Sequence, residues 1–123
     1  MASLKELKKY LGHEFESACY RTEDYTRFEN KLINYVKSIC KKNNWIVINV
    51  NRGHFCCSLF IRDERLNYVN VIFNDVRFYQ DEWYNSVLHR QAESSQDYRG
   101  GINNYCSLDE LEDAIKTDFY YFF

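Results

Sequence analysis

The chain has 123 residues, of which 46% are apolar, and its formal net charge is −2. This length and apolar content predict a single domain over residues 1–123, with a core that needs neither metal nor disulfides. The weak negative charge argues against general nucleic-acid binding. No apolar run approaches the roughly 18 residues that a membrane span requires. The N-terminus lacks an apolar signal core and the five cysteines have no regular spacing, so we expect a cytoplasmic protein without disulfides or membrane association.

Helix patterns open the chain. Residues Ser3 to Glu6 have the spacing of a capping box and begin a short helix, which Gly12 ends. A longer helix is predicted from about Thr22 to Lys42, because apolar residues recur there every three or four positions. Lysines in its last turn favour the negative end of the helix dipole.

Three strands are predicted next, over 45–51, 55–62 and 68–74, because apolar and polar residues alternate in each. Their short links indicate an antiparallel meander. The set expected to face the core comprises Ile46, Ile48, Val50, Phe55, Cys57, Leu59, Ile61, Val69, Val71 and Phe73. The opposite face is mixed, with Trp45, Val47, Phe60, Tyr68 and Ile72 among asparagines. Either a loop or the N-terminal helix covers that face, or it forms an aromatic platform for bases or a protein partner.

Two more helices are predicted after the strands. The first runs from about Asp81 to Glu93 and directs Tyr84, Val87, Leu88 and Ala92 toward the core. The second starts at a capping box over 107–110. The fold class is therefore α+β: one domain with a three-stranded antiparallel meander flanked by helices, in the order α-α-β-β-β-α-α.

A polar loop over 97–104, with the sequence DYRGGINN, is the main candidate for binding. One of its two glycines should adopt a positive φ. Arginines beside the Gly-Gly turn could clamp a phosphate, or Asp75 could pair with one of them and fix the loop. The candidate binding residues in this region are Asp75, Arg77, Trp83, Arg90, Asp97, Tyr98, Arg99, Gly100, Gly101, Asn103 and Asn104.

Acidic residues concentrate on the last helix. Asp109, Glu110, Glu112 and Asp113 are further candidate binding residues, because carboxylates can occupy the place of phosphates in a nucleic-acid channel. A solvated helix face with favourable charge at its N-terminus explains them equally well. The aromatic tail over 119–123 should pack onto the domain or onto a second copy of the chain. Packing onto a second copy would form a homodimer.

Catalytic and metal-binding patterns are weak. His54 with Cys56, and His89 with Glu93, each supply two ligands, and nothing completes a zinc site. The strands offer no lysine and no interior acid that could serve a magnesium-dependent nuclease. No cysteine–histidine pairing is preferred. We therefore expect no metal, no cofactor and no catalysis.

The segment from Tyr68 to Ile115, with DVR, EWYN, VLHR, DYRGGINN and SLDELE, resembles a group of small uncharacterised proteins of phages and mobile elements in low-GC bacteria. The resemblance covers less than half of the chain. It implies an accessory protein that binds and inhibits a host defence effector, such as a CRISPR effector, in the cytoplasm of the bacterial host, as anti-CRISPR proteins do. The alternative is a module that binds a nucleotide or cyclic nucleotide through Arg77, Arg90, Arg99 and ring stacking.

Overall fold

The structure, a computed structural model, describes residues 3–16, 22–53, 56–74 and 81–121. The helices are α1 (Leu4–Lys8), α2 (Glu23–Lys42), α3 (Glu82–Asn85) and α4 (Leu111–Tyr120), and a 3₁₀ turn (Leu108–Glu110) leads into α4. The strands are β1 (Ile46–Arg52), β2 (Cys57–Arg62), β3 (Tyr68–Phe73), β4 (Val87–Ala92) and β5 (Asn104–Cys106).

The described strands form one antiparallel sheet in the order β1-β2-β3-β4-β5. The predicted α+β class is thereby confirmed, and β1, β2 and β3 are the predicted meander. The prediction of only three strands was wrong, because β4 and β5 extend the sheet beyond β3. The sheet therefore ends at β5, a three-residue strand that lies next to α4 in the chain.

The predicted helix from Asp81 to Glu93 was the main error. A four-residue helix, α3, is followed directly by β4, which pairs with β3 from Ile72 opposite Leu88 to Tyr68 opposite Ala92. Apolar residues in this short segment fit both a helical and an alternating pattern. Pairing with β4 satisfies the backbone groups along the edge of β3, which a helix over these residues would leave unpaired, and this favours the strand.

One face of the sheet is covered by helices and forms the core. The predicted stripe of α2 is buried there, including Phe28, Leu32 and Val36. From the sheet, buried residues of β2, β3 and β4 meet this stripe, and Leu111, Ile115 and Phe119 of α4 complete the core. Two predicted helices thus bury the predicted apolar face of β2 and β3, as expected for a sheet with one apolar side.

The prediction for β1 was wrong in its first half. Asn49 has a φ of 57°, and the pairing of β1 with β2 shifts between Ile48 and Asn51. Such a bulge adds a residue to one strand and reverses which side chains face inward. Trp45 and Val47 consequently pack against the core together with Val50, whereas Ile46 is 52% exposed.

The loop over 93–103 covers part of the second face of the sheet. Phe60 is fully buried there, and its ring centroid lies 5.1 Å from that of Tyr98. The side chain of Asn49, at the bulge, donates a hydrogen bond of 2.7 Å to the carbonyl of Ser95. Of the two predicted possibilities for this face, cover by a loop is therefore the one observed around Phe60.

Gly101 and Gly12 provide a matched test of how tightly this loop is seated. Both have a positive φ, but a Cβ on Gly101 would lie 2.3 Å from the carbonyl oxygen of Gln91, whereas a Cβ on Gly12 would meet nothing within 4 Å. We expect Gly12→Ala to lower the free energy of unfolding by about 1 kcal/mol through backbone strain alone. Gly101→Ala should cost at least about 1 kcal/mol more. Urea unfolding measures both losses, and equal losses would contradict a closely packed loop.

Candidate functional site

Arg90 fixes the glycine loop. Its side chain is 2% exposed on the second face of the sheet, opposite Asn70 of β3. The guanidinium donates hydrogen bonds to the carbonyl oxygens of Asp97 and Gly100. A buried cation needs such acceptors, since its desolvation is otherwise uncompensated. Arg90 therefore fixes the loop through backbone carbonyl groups, and the predicted pairing of an arginine with Asp75 stays a prediction. Asp75 and Arg77 lie outside the described residues.

The carboxylate of Asp97 closes the loop through hydrogen bonds to backbone groups of the loop itself. Its carboxylate accepts hydrogen bonds from the backbone N–H groups of Glu93 at 2.9 Å, Gly100 at 2.7 Å and Arg99 at 3.1 Å. These bonds stabilise the charged form and lower the pKa of Asp97 to about 2. The predicted positive φ occurs at Gly101, where it is 77°. The loop is therefore an ordered turn built around one carboxylate and one guanidinium.

Of the other predicted binding residues in this region, some lie at the surface and one lies in the core. Tyr98 is 46% exposed despite its contact with Phe60, and Arg99 and Asn103 are exposed. Trp83 is 2% exposed and packs edge-on against Phe28, with ring centroids 4.8 Å apart. Its position in the core removes Trp83 from the surface that a partner could contact.

A groove lies where α4 crosses the β4–β5 edge of the sheet, and we call it the edge groove. Its volume is about 480 Å³. Three of the predicted binding residues line it, namely Asn104, Glu110 and Asp113. The remaining lining residues are His89, Tyr105, Cys106, Ala114, Thr117 and Asp118. The structure thus joins the end of the predicted loop to the predicted acidic helix at a single concave site.

A buried histidine–aspartate pair lies in the edge groove. His89 Nδ1 is 2.6 Å from Asp118 Oδ2, and the two residues are 7% and 8% exposed. Because a carboxylate can only accept, Nδ1 carries the proton and donates it. The backbone carbonyl of Asp118 also accepts a hydrogen bond of 2.8 Å from the side chain of Gln91. Within the described residues, His89 Nε2 makes no hydrogen bond.

The sequence interpretation missed this pair. The sequence pattern pairs His89 with Glu93 on one face of a helix, and the structure has strand β4 at this position. Recognition of β4 as a strand would have placed Val87, His89 and Gln91 on one face, at every second residue. No sequence pattern connects His89 with Asp118, which lies 29 residues further along the chain.

The surroundings of Cys106 in the groove favour its protonated thiol. Burial, followed by the negative charges of Glu110 and Asp118, raises the pKa of Cys106 to about 11. At neutral pH the thiol is therefore protonated, and the thiolate is the nucleophilic form of cysteine. The hydroxyl of Thr117 donates to the carbonyl of Asp113 at 3.0 Å. Neither side chain has the geometry of an activated nucleophile.

The four predicted acids of the last helix have two different roles. Glu112 accepts hydrogen bonds from Asn43 at 3.0 Å and Lys42 at 2.9 Å, which lower its pKa and link α4 to the end of α2. Asp109 lies 3.8 Å from the ammonium group of Lys8. Glu110 and Asp113 instead line the edge groove. Only the second two are placed to meet a ligand there.

Exposed apolar side chains border the groove, and we call them the apolar rim: Ile102 (80% exposed), Tyr105 (58%), Tyr120 (76%) and Tyr121 (58%). Ile102 and Tyr121 line a neighbouring hollow of about 350 Å³, which shares Asn104, Thr117 and Asp118 with the edge groove. The rings of Tyr120 and Tyr121 are in contact, with centroids 4.9 Å apart. Through this shared hollow, Ile102, Tyr121 and its neighbour Tyr120 are continuous with the groove, and the side chain of Tyr105 projects from the other face of the edge strand β5.

The predicted packing of the aromatic tail holds for its first residue. Phe119 is 4% exposed, and its ring centroid lies 5.2 Å from that of Trp45. Tyr120 and Tyr121 remain at the surface of the rim, so contact with a second copy stays a prediction. Phe122 and Phe123 lie outside the described residues.

No protein-family model matches the chain, and no curated protein or solved structure shows significant similarity to it. Among the described residues, no cluster of three or more histidine, cysteine or acidic side chains is arranged to hold a metal ion. The described helices include none that combines the length and the apolar character needed to cross a membrane. The resemblance to phage and mobile-element proteins therefore stays a prediction.

The lowered pKa of Asp97 predicts how the loop responds to acid. Because the pKa falls from its ordinary value of 3.8 to about 2 on folding, the carboxylate stabilises the fold above pH 3.8 and loses this effect as the pH falls through about 2. Asp97→Asn should therefore reduce the free energy of unfolding at neutral pH and have a progressively smaller effect in acid. Denaturant titrations of both proteins between about pH 6 and pH 2 test this. A constant difference across that range would contradict it.

Proposed function

We propose that this chain is an accessory protein of a phage or mobile element that binds a host defence effector and inhibits it without catalysis. The observation that carries the proposal is the surface formed by the acidic edge groove and the apolar rim. Its partner is expected to be a protein with a cationic, partly apolar surface, such as a CRISPR effector. The site of action would be the cytoplasm of the bacterial host.

The apolar rim supports binding to a protein. Exposed apolar residues that form a contiguous patch mark interaction sites, whereas scattered ones do not. Three of the four rim residues are tyrosines, and tyrosine is enriched among the residues that dominate binding energy at interfaces. The rim lies beside a concave polar groove, an arrangement that combines apolar contact area with groups able to set specificity.

The charges of the groove support a cationic partner. Glu110, Asp113 and Asp118 all line it, and their carboxylates can take the place of nucleic-acid phosphates on a basic surface. CRISPR effectors hold their guide–target duplex in a positively charged channel. An acidic protein that blocks such a channel would not itself bind nucleic acid, in agreement with a net charge of −2.

The chemistry of the groove favours binding over catalysis. The His89–Asp118 pair could accept a proton, but Cys106 is held as a thiol and the Thr117 hydroxyl is bonded to its own helix. A histidine–acid pair contributes to nucleophilic catalysis only when a nucleophile lies within hydrogen-bonding reach. These side chains therefore support a role in recognition.

The alternative of a nucleotide-binding module has less support from the described residues. Arg90 is buried, and its guanidinium is committed to the carbonyls of Asp97 and Gly100. A phosphate would have to displace these bonds and release the loop. Arg77 lies outside the described residues, which leaves Arg99 as the exposed arginine of the proposed clamp.

Inhibition of a purified CRISPR effector from a low-GC bacterium tests the proposal. We expect cleavage of target DNA to fall as the protein is added and to stop at a fixed ratio of inhibitor to effector. Tyr105→Asp and Tyr121→Asp should each require at least about tenfold more protein for half inhibition, because a charge replaces an interface aromatic. Ile46→Asp is the matched control, since Ile46 is 52% exposed on β1 at the other end of the sheet.

Several outcomes would contradict this function. Absence of inhibition across effectors of the host would remove the proposed class of partner. Complete inhibition by far less than one inhibitor per effector would indicate catalysis. A rise in melting temperature with nucleotides would favour the alternative module. Sedimentation as a dimer that Tyr121→Asp dissociates would assign the rim to a second copy of this chain.

A further inference from the structure

Three polar side chains of the edge groove donate hydrogen bonds to the protein itself. His89 donates Nδ1–H to Asp118. Asn104 donates from Nδ2 to the carbonyl of Ile102 at 3.1 Å, and Thr117 donates its hydroxyl proton to the carbonyl of Asp113. The oxygen atoms of Asn104 and Thr117 remain as acceptors. The groove therefore presents mainly acceptors, with the second N–H of the Asn104 amide as a remaining donor.

Two further acceptors belong to His89 and Asp118, two buried residues that line the groove. His89 and Asp118 are more than nine-tenths buried, yet both line the cavity. Within the described residues, neither His89 Nε2 nor Asp118 Oδ1 has a hydrogen-bond partner. When Nδ1 alone carries a proton, Nε2 has a lone pair for a donor. Neither atom is fully enclosed, so both can accept a hydrogen bond from a ligand that enters the groove.

We propose that the edge groove binds a guanidinium group, namely that of an arginine side chain on the protein partner. A guanidinium has five N–H donors and no acceptor, which is complementary to a groove whose free groups are mainly acceptors. An ammonium group has only three donors. A phosphate would be repelled by Glu110, Asp113 and Asp118, and the described side chains form no metal cluster.

Residue Tyr105 lies at the border of the groove, but its pairing with Leu88 places its side chain on the second face of the sheet, where it is 58% exposed. The groove itself offers carboxylates, and a guanidinium group is more weakly hydrated than an ammonium group, which favours its transfer from water. The inference deepens the proposed function and rests on it for the source of the arginine. Arginines that hold nucleic-acid phosphates in an effector would be drawn to the carboxylates of the groove.

Nuclear magnetic resonance titration of the full chain tests the assignment without any effector. The first probe is a short glycine–serine peptide carrying a single arginine, and the second is the same peptide with citrulline, which has the same shape without the charge. We expect saturable shifts at His89 and Asp118 with the arginine peptide and at least about tenfold weaker binding of the citrulline peptide. A lysine peptide should also bind more weakly than the arginine peptide.

Two double variants separate the groove from general charge attraction. Glu110→Gln with Asp113→Asn should weaken binding of the arginine peptide at least about tenfold. Asp109→Asn with Glu112→Gln removes two negative charges from the same region outside the groove and should change binding less than about twofold. Spectra of both variants verify that the fold is intact.

The guanidinium site would be overturned if the two double variants lost equal affinity for the arginine peptide. It would also be overturned if the arginine and citrulline peptides bound equally well. Methylguanidinium is the last probe. If it binds as tightly as the arginine peptide, the ligand is a small free cation and the partner arginine is wrong. Because no effector is used, the outcome of these titrations is independent of the inhibition assay. Binding of the arginine peptide without inhibition of an effector would contradict the proposed function and leave the guanidinium site standing.

Discussion

The buried guanidinium of Arg90 is the constraint on which the surface of this protein depends. It lies on the second face of the sheet and bonds two carbonyls of the glycine loop, whose turn is closed by the carboxylate of Asp97. The loop leads directly into β5, which pairs with β4 from Val87 opposite Cys106 to His89 opposite Asn104. A cation buried to this degree tolerates few alternative arrangements of its acceptors, so it fixes where the chain can return to the sheet.

Strand β4 links the two sides of the molecule because its side chains alternate. Arg90 points to the second face and orders the loop, whereas His89 and Gln91 point toward α4 and bond to Asp118. The loop positions β5 as one wall of the edge groove, and the bonds to Asp118 hold α4 as the other. Both walls of the groove are thus held by polar residues at consecutive positions on one strand. Such preorganisation lowers the entropic cost of binding.

The elements with strong periodicity could be predicted from the sequence. The stripe of α2 and the alternation in β2 and β3 reflect burial over many residues, so the pattern and the packing agree. Prediction failed where a short segment depends on distant partners. The apolar pattern of residues 87–92 fits a helix as well as a strand, and only pairing with the edge of β3 selects the strand. The inward face of β1 is reversed by a bulge at Asn49, whose left-handed backbone leaves no mark in the alternation of apolar residues.

For the candidate site, the sequence by itself determined the chemical character: a polar glycine loop, an acidic last helix and an aromatic tail, each a local property of composition and spacing. Only the tertiary structure decided which of these residues act together. It committed Arg90, Asp97 and Glu112 to internal bonds, buried Trp83, and brought Glu110 and Asp113 beside His89 and Asp118. The physical reason is that hydrogen bonding and desolvation act between residues that are close in space, and the sequence encodes that proximity only through the complete fold.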